Sequence, residues 1–277
     1  MTHLSARTSV LMIPCSQANE ASLTYQPASK CLKCSIYSDA GGFCDHLTDP
    51  QLDTLSQASR VGALKRGEHI ATAELLVWPI IAVSSGVLSL QHLLEDGRKT
   101  IAALFMQGDI IDMRGIANRN RGQLIALAKT EICRLSPIAF EAVIEDNSGA
   151  HKVAWNNLRG QSYRAMDHAA DLAKKQSLEK LASFIFECQR RQIVSPSPSS
   201  VTIPIRRIDL ADYLGMQPET VSRVFKDLEK RGVIRSEGTA SVSILDVPTL
   251  RRIANGDKHT ENLRHTDENH LTARLSG

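Results

Sequence analysis

Residues 208–234 confine the C-terminal part of this chain to one local architecture: a helix, a turn of four residues and a second helix. Ile208, Leu210, Ala211 and Leu214 form the apolar stripe of a short first helix. Gly215 then supplies the backbone angle that a tight turn needs and that glycine adopts at little cost. Pro218 suits the opening position of the second helix, where its missing N–H has no partner to lose. Val221, Val224, Phe225 and Leu228 share one face of that helix and are expected to pack inward. Glu219, Ser222 and Arg223 lie on the other face near its N-terminus, the end that a DNA-reading helix presents to base edges. Arginine can bond both acceptors of a guanine, glutamate can accept from the amino group of cytosine, and serine suits either strand. The alternative is a solvated helix face. Lys226, Lys230, Arg231 and Arg235 stand where phosphates would pass, and the alternating run Ala240 to Ile244 after Gly238 reads as a hairpin wing.

A length of 277 residues accommodates two domains, each with its own core. The formal charge is only +3, so affinity for nucleic acid must come from a local patch. No apolar run is long enough to span a membrane, and Leu11-Met12-Ile13 is too short for a signal-peptide core. A cytoplasmic location follows as the expectation. The six cysteines are then read as thiols and candidate ligands, not as a disulfide framework. Nothing in the chain resembles a nucleophile–base motif, a phosphate loop or a pair of catalytic histidines, so no enzyme is expected.

The fold class expected is α+β, divided into five parts. Residues 1–30, rich in Ser, Thr, Gln and Ala, read as a flexible arm, and residues 31–149 as a cysteine-rich segment followed by a sensor domain. Within it a helix is expected over about 46–60, with Leu47, Leu52 and Leu55 inward and Asp49 as N-cap. Segments 75–83, 86–94, 99–105 and 123–135 read as strands of a small antiparallel roll, with Asp96-Gly97 as a hairpin turn. Residues 150–176 form a long helix on which Trp155, Leu158, Ser162, Met166, Ala169 and Ala173 recur at three- and four-residue steps. Such a stripe suits a dimer seam, with Leu158, Met166, Ala169 and Ala173 at its centre, or else a helix packed on its own roll. Residues 177–253 read as the DNA-binding unit. They open on a helix at about 178–191 and include a loop at Ser195–Ser200. Residues 254–277 read as a disordered tail in which His259, His265 and His270 are solvated.

With roll, long helix and helix-turn-helix in this order, the chain resembles the Crp/Fnr family of bacterial transcription regulators, and within it the FNR-type oxygen sensors. The residues carrying the resemblance are Glu219-Thr-Val-Ser222-Arg223, the stretch from Ala173 to Phe186, and the turn Gly108-Asp-Ile-Ile-Asp112. It implies a cyclic-nucleotide-binding-like roll, a long dimerisation helix and a C-terminal winged helix-turn-helix. It also implies a homodimer on a two-fold symmetric duplex with TTGAT and ATCAA half-sites, read by Glu219, Ser222 and Arg223 with Lys226 on phosphate, and contact with RNA polymerase. Asp112 to Leu127 holds arginines at 114, 119 and 121 but lacks the Arg-Ser/Thr-Ala run of the nucleotide-binding members, so cyclic AMP is not expected.

For the cysteines the resemblance implies a [4Fe–4S] cluster held by Cys31, Cys34, Cys44 and Cys133, whose loss would weaken the dimer and with it DNA binding. Gly41-Gly42 would ease the wrapping of the chain. The nine-residue gap between Cys34 and Cys44 is wider than in the best-known members, and Cys15 is a substitute ligand. Zinc also accepts four thiolates. Cys188, on an apolar helix face, reads as core. The competing readings are a cluster-free regulator of the FixK or nitric-oxide-responsive type, and a zinc or thiol protein that uses its roll as a small-molecule-binding module.

Overall fold

The computed structural model describes residues 31, 34, 42–114, 122–191, 200–203, 205–237 and 241–257. The arm over 1–30, Cys15, Gly41, the arginines at 119 and 121, the loop at 195–199, Gly238, Ala240 and the tail histidines lie outside them.

A short 3-10 turn, Phe43–His46, precedes helix α1, Asp49–Gln57. Thr48, not Asp49, is the N-cap, and its N–H donates to Gln51 Oε1 at 3.1 Å. Pro50 explains the shift, because proline fits only the first turn of a helix and so fixes Asp49 inside it. Strand β1, Ser59–Leu64, follows. The expected strand over 75–83 is a helix followed by a strand: α2, Thr72–Val77, then β2, Ile80–Ser85. Pro79 separates them, since the residue before a proline is pushed out of helical geometry.

The Asp96-Gly97 turn joins β3, Val87–Leu93, to β4, Lys99–Met106, in antiparallel register from Val87 opposite Met106 to Leu93 opposite Lys99. Gly97 has a φ of 83°, as the turn demands. After β5, Ile110–Asp112, the expected segment 123–135 divides into β6, Gln123–Ala126, and β7, Thr130–Leu135, which belong to different sheets. One sheet has the order β1-β7-β2-β5 and the other β4-β3-β6. Ile81, Val83, Leu88, Leu124 and Ile132 fill the roll between them and are fully buried.

Helix α3, Pro137–Asp146, leads to α4, Ser148–Lys174, where the Asn147 side chain accepts from the Ala150 N–H at 2.9 Å. The C-terminal unit opens with α5, Ser177–Arg191. It continues with β8, Ser200–Thr202; α6, Arg207–Leu214; α7, Pro218–Lys230; β9, Ile234–Glu237; β10, Ser241–Ile244; and α8, Val247–Ala254. The sheet order β8-β10-β9 gives the wing a third strand, which begins at Ser200, the last residue of the expected loop. The α6–α7 turn is residues 215–217, one shorter than expected. Ile208 is 51% exposed and leaves the expected stripe. The inward face of α6 instead takes in Asp209, whose carboxylate pairs with Arg66 and Lys99 of the roll. An apolar cluster runs on from roll residues Val87, Ile101, Leu104 and Leu127 into Leu210, Leu214 and Leu228. No helix among the described residues is long and apolar enough to cross a membrane.

Candidate DNA-reading face and cysteine site

Helix α7 is held from one side and bare on the other. Val221, Val224, Phe225 and Leu228 are buried, each contributing roughly 1.5–3 kcal/mol by removal from water. Gly215, at φ 61° and ψ 43°, makes the left-handed cap that ends α6, and the Met216 N–H donates back to Ala211 O at 3.0 Å. A Cβ at position 215 would lie 3.3 Å from Leu172 of α4, so the turn also sits close against the long helix. The Arg207 guanidinium lies 3.1 Å from the Phe225 ring centroid, and its burial lowers its pKa. At the other end of α7 the Glu229 carboxylate accepts from the Ser236 N–H at 3.0 Å, tying strand β9 of the wing to the helix. That hydrogen bonding holds the Glu229 carboxyl below its usual range.

Glu219, Ser222, Arg223 and Lys226 are all exposed on the bare face. The Ser222 hydroxyl donates to Pro218 O at 3.1 Å, so its proton is used within the helix and its lone pairs face outward as acceptors. Lys230 and Arg235 are exposed beside them, whereas Arg231 bonds Asp227 at 3.1 Å. The bond from Ser236 to Glu229 was not legible in the sequence. A glutamate near the end of a helix carries no signal that a strand amide will meet it.

On α4, Trp155, Leu158, Ser162, Met166, Ala169 and Ala173 are exposed along one face. Met166 is 66% exposed. The opposite face grips the roll: Asn157 Nδ2 donates to Gly108 O at 2.8 Å, and Gln161 Nε2 donates to Ile110 O at 2.7 Å. The helix thus packs on its own roll by one face and leaves the expected stripe exposed on the other. A cavity of about 620 Å³ lies between β4, α4, α5 and α6, with Phe105, Met113, Gln161, Phe184 and Tyr213 in its wall. Arg164 and Arg191, which also reach it, both pair with Asp109.

Cys31, Cys34, Cys44 and Cys133 lie close enough to influence one another electrostatically. The Cys34 N–H donates to Cys31 O at 2.9 Å. Cys31, Cys44 and Cys133 pack on one apolar cluster with Phe43, Leu135 and Phe140. Burial, chiefly, and the nearness of the other thiols raise the pKa of Cys31 and Cys44. Burial likewise pushes Cys133 up to about 12. In donor chemistry alone, four thiols suit an iron–sulfur or zinc centre, because a metal cation releases the protons that burial retains. Among the described residues no three or more His, Cys, Asp or Glu side chains are grouped so that they could hold a metal ion, so the thiols would have to move together to enclose one. Cys188 is buried in the DNA-binding unit and stands apart from them.

Residues 179–253 match the model of the Crp-like helix-turn-helix domain. The chain is 30% identical over 179 residues to the nitrogen fixation regulation protein FixK of Azorhizobium caulinodans, covering 63% of this chain and 71% of the relative. It is 28% identical over 247 residues to the fumarate and nitrate reduction regulatory protein of Escherichia coli K12, covering 85% and 93%. Its fold matches that of FixK2 from Bradyrhizobium japonicum with a TM-score of 0.58 at 23% identity, over 70% of this chain and 96% of the other.

Proposed function

Because the chain belongs to the Crp/Fnr family of transcription regulators, we propose that it binds a two-fold symmetric DNA site as a cytoplasmic homodimer and answers to oxygen through four of its six cysteines. The observation that carries this reading is the exposure of Glu219, Ser222, Arg223 and Lys226 together on a helix whose other face is anchored. Arg223 takes the guanine of the TTGAT half-site and Glu219 the cytosine paired with it, while Lys226 neutralises a phosphate. The exposed stripe of α4, with Leu158, Met166, Ala169 and Ala173, meets its copy in the second chain and sets two α7 helices one duplex turn apart. A regulator seated in this way stands beside RNA polymerase.

Cys31, Cys34, Cys44 and Cys133 would hold a [4Fe–4S] cluster, which supplies an oxygen-labile centre when bound. Its support is that residues a hundred positions apart are brought close enough to influence one another electrostatically. The chain's own part is to shelter the thiols on the Phe43–Phe140 cluster and to place them beside the start of α4, through Ala150 and Val153. A second reading, control of the FixK type without a cluster, is favoured by the absence of a finished metal-binding group among the described residues.

Protein prepared without oxygen is to be assayed for iron, acid-labile sulfide and zinc, and titrated with the symmetric duplex. About four irons and four sulfides per chain are expected. About one zinc instead would assign a thiolate zinc site, and no metal would assign the FixK-type reading. Failure to discriminate the symmetric site from unrelated duplex would sink the DNA-reading proposal itself.

A further inference from the structure

The roll, the long helix and the DNA-binding unit meet at one side chain. Asp109 sits in the turn between β4 and β5, and its side chain is only 6% exposed. Its Oδ1 accepts from Arg164 of α4 at 2.9 Å, and its Oδ2 accepts from Arg191 at the end of α5. Oδ2 also accepts from the Met106 N–H at 2.9 Å, which fixes the carboxylate within its own turn. The same turn is clasped by Asn157 and Gln161 of α4. Arg191 itself is largely covered, its side chain 13% exposed, and its Nη1 also donates to Leu104 O of β4 at 3.4 Å. A buried carboxylate shared by two guanidinium groups is tolerated only while both forks stay aligned, because moving either element strands a charge away from water. An apolar contact at this place would permit sliding. The ionic one specifies an angle.

We infer that Asp109 is a positioning residue which, by holding Arg164 of α4 and Arg191 of α5 at once, sets the orientation of each DNA-binding unit relative to the dimer axis and thereby the half-site spacing that the protein accepts. The inference rests on the reading of the chain as a dimer on a symmetric site. Two recognition helices on one chain pair must arrive at a fixed separation along the duplex. A loosened joint leaves each unit free to read its half-site but requires the pair to lose orientational freedom on binding both. A second attachment limits how far the unit can swing: Asp209 and Asp212 of α6 meet Lys99 of the roll, at 3.7 and 3.0 Å.

The test uses the full-length protein with Asp109→Asn, which keeps the shape and an acceptor for Met106 but removes the charge, and with Arg191→Met and Arg191→Lys. Binding is measured on the symmetric duplex, on duplexes with the spacer one base pair longer or shorter, and on a duplex with a single half-site. Asp109→Asn and Arg191→Met should each bind the symmetric site about tenfold more weakly, within the ordinary range of coupling between sites. They should tolerate the altered spacers better than the wild type does and keep the single half-site affinity. Arg191→Lys should recover part of the loss. Unchanged spacing selectivity, or an equal loss on the half-site, would overturn the inference. Hydrogen exchange of the DNA-free protein reads the joint separately. Asp109→Asn should speed exchange at the 108–110 turn and at the end of α5, and unchanged exchange there overturns the inference even if the wild type recognises no symmetric site. A wild type that ignores the symmetric site while the exchange responds would count against the DNA-reading proposal and not against the joint.

Discussion

The two functional ends of the molecule are built in opposite ways. The proposed DNA-reading face lies within Pro218–Lys230, one continuous helix whose inward and outward residues alternate with the helical period. The proposed cysteine site would join Cys31 to Cys133, which come to one apolar cluster only when β7 is laid into its sheet between β1 and β2. A site made of consecutive residues is assembled by local geometry. A site made of distant ones depends on every strand that brings its parts together, so it is the more easily lost.

The largest expected effect is at the cysteine end. Cys133→Ala removes one of four donors, and iron content should fall to near background, since a cluster of this kind needs its thiolate ligands. The α7 fold should be untouched, so the variant should keep its affinity for a single half-site. Loss of half-site binding as well would erase the separation between the two regions.

Leu228→Ala makes the reverse cut. Leu228 is fully buried beneath α7, and its truncation should cost about 2–5 kcal/mol of stability. Denaturant unfolding should show that loss together with weakened DNA binding, while the iron content per folded chain stays at the wild-type level. A fall in iron would mean that the two ends fold as one unit.

Arg223→Ala should leave stability alone, because the side chain is exposed, and should cost about 1–3 kcal/mol on the symmetric site. Its signature is relaxed preference at the guanine of the half-site. A uniform weakening across all sequences would make Arg223 a phosphate contact.

The smallest effect lies between the two regions, where the His168 ring of α4 stacks on Tyr213 of α6 at 3.9 Å. Burial lowers the His168 pKa. The folded chain therefore binds this proton less readily than the unfolded chain. Stability is retained above the unfolded histidine pKa of about 6.5 and declines as pH falls through and below it. Asp171, which favours the charged form, and Lys180, which opposes it, face the ring. His168→Gln should flatten the dependence of Tm on pH over that range, and an unchanged profile would assign the acid sensitivity elsewhere.

The sequence by itself determined what local chemistry controls. Gly215 and Pro218 bracket the turn that leads into α7, and the period of Val221, Val224, Phe225 and Leu228 decides which face is left exposed. Asp96-Gly97 determined the β3–β4 hairpin in the same way. Where the cause is non-local, the tertiary structure decided. Pro79 marks a break, but only packing made the residues before it a helix. The apolar run 123–135 carries no sign that its halves pair in different sheets. Ile208 has the spacing of a core residue, yet Asp209 takes the inward place because Arg66 and Lys99 of the roll are there to meet it. Asp109 reads as one acid in a glycine turn, and its partners Arg164 and Arg191 stand 55 and 82 residues away. A buried charge is stable only where opposite charges converge in three dimensions, and no pattern along the chain records that convergence.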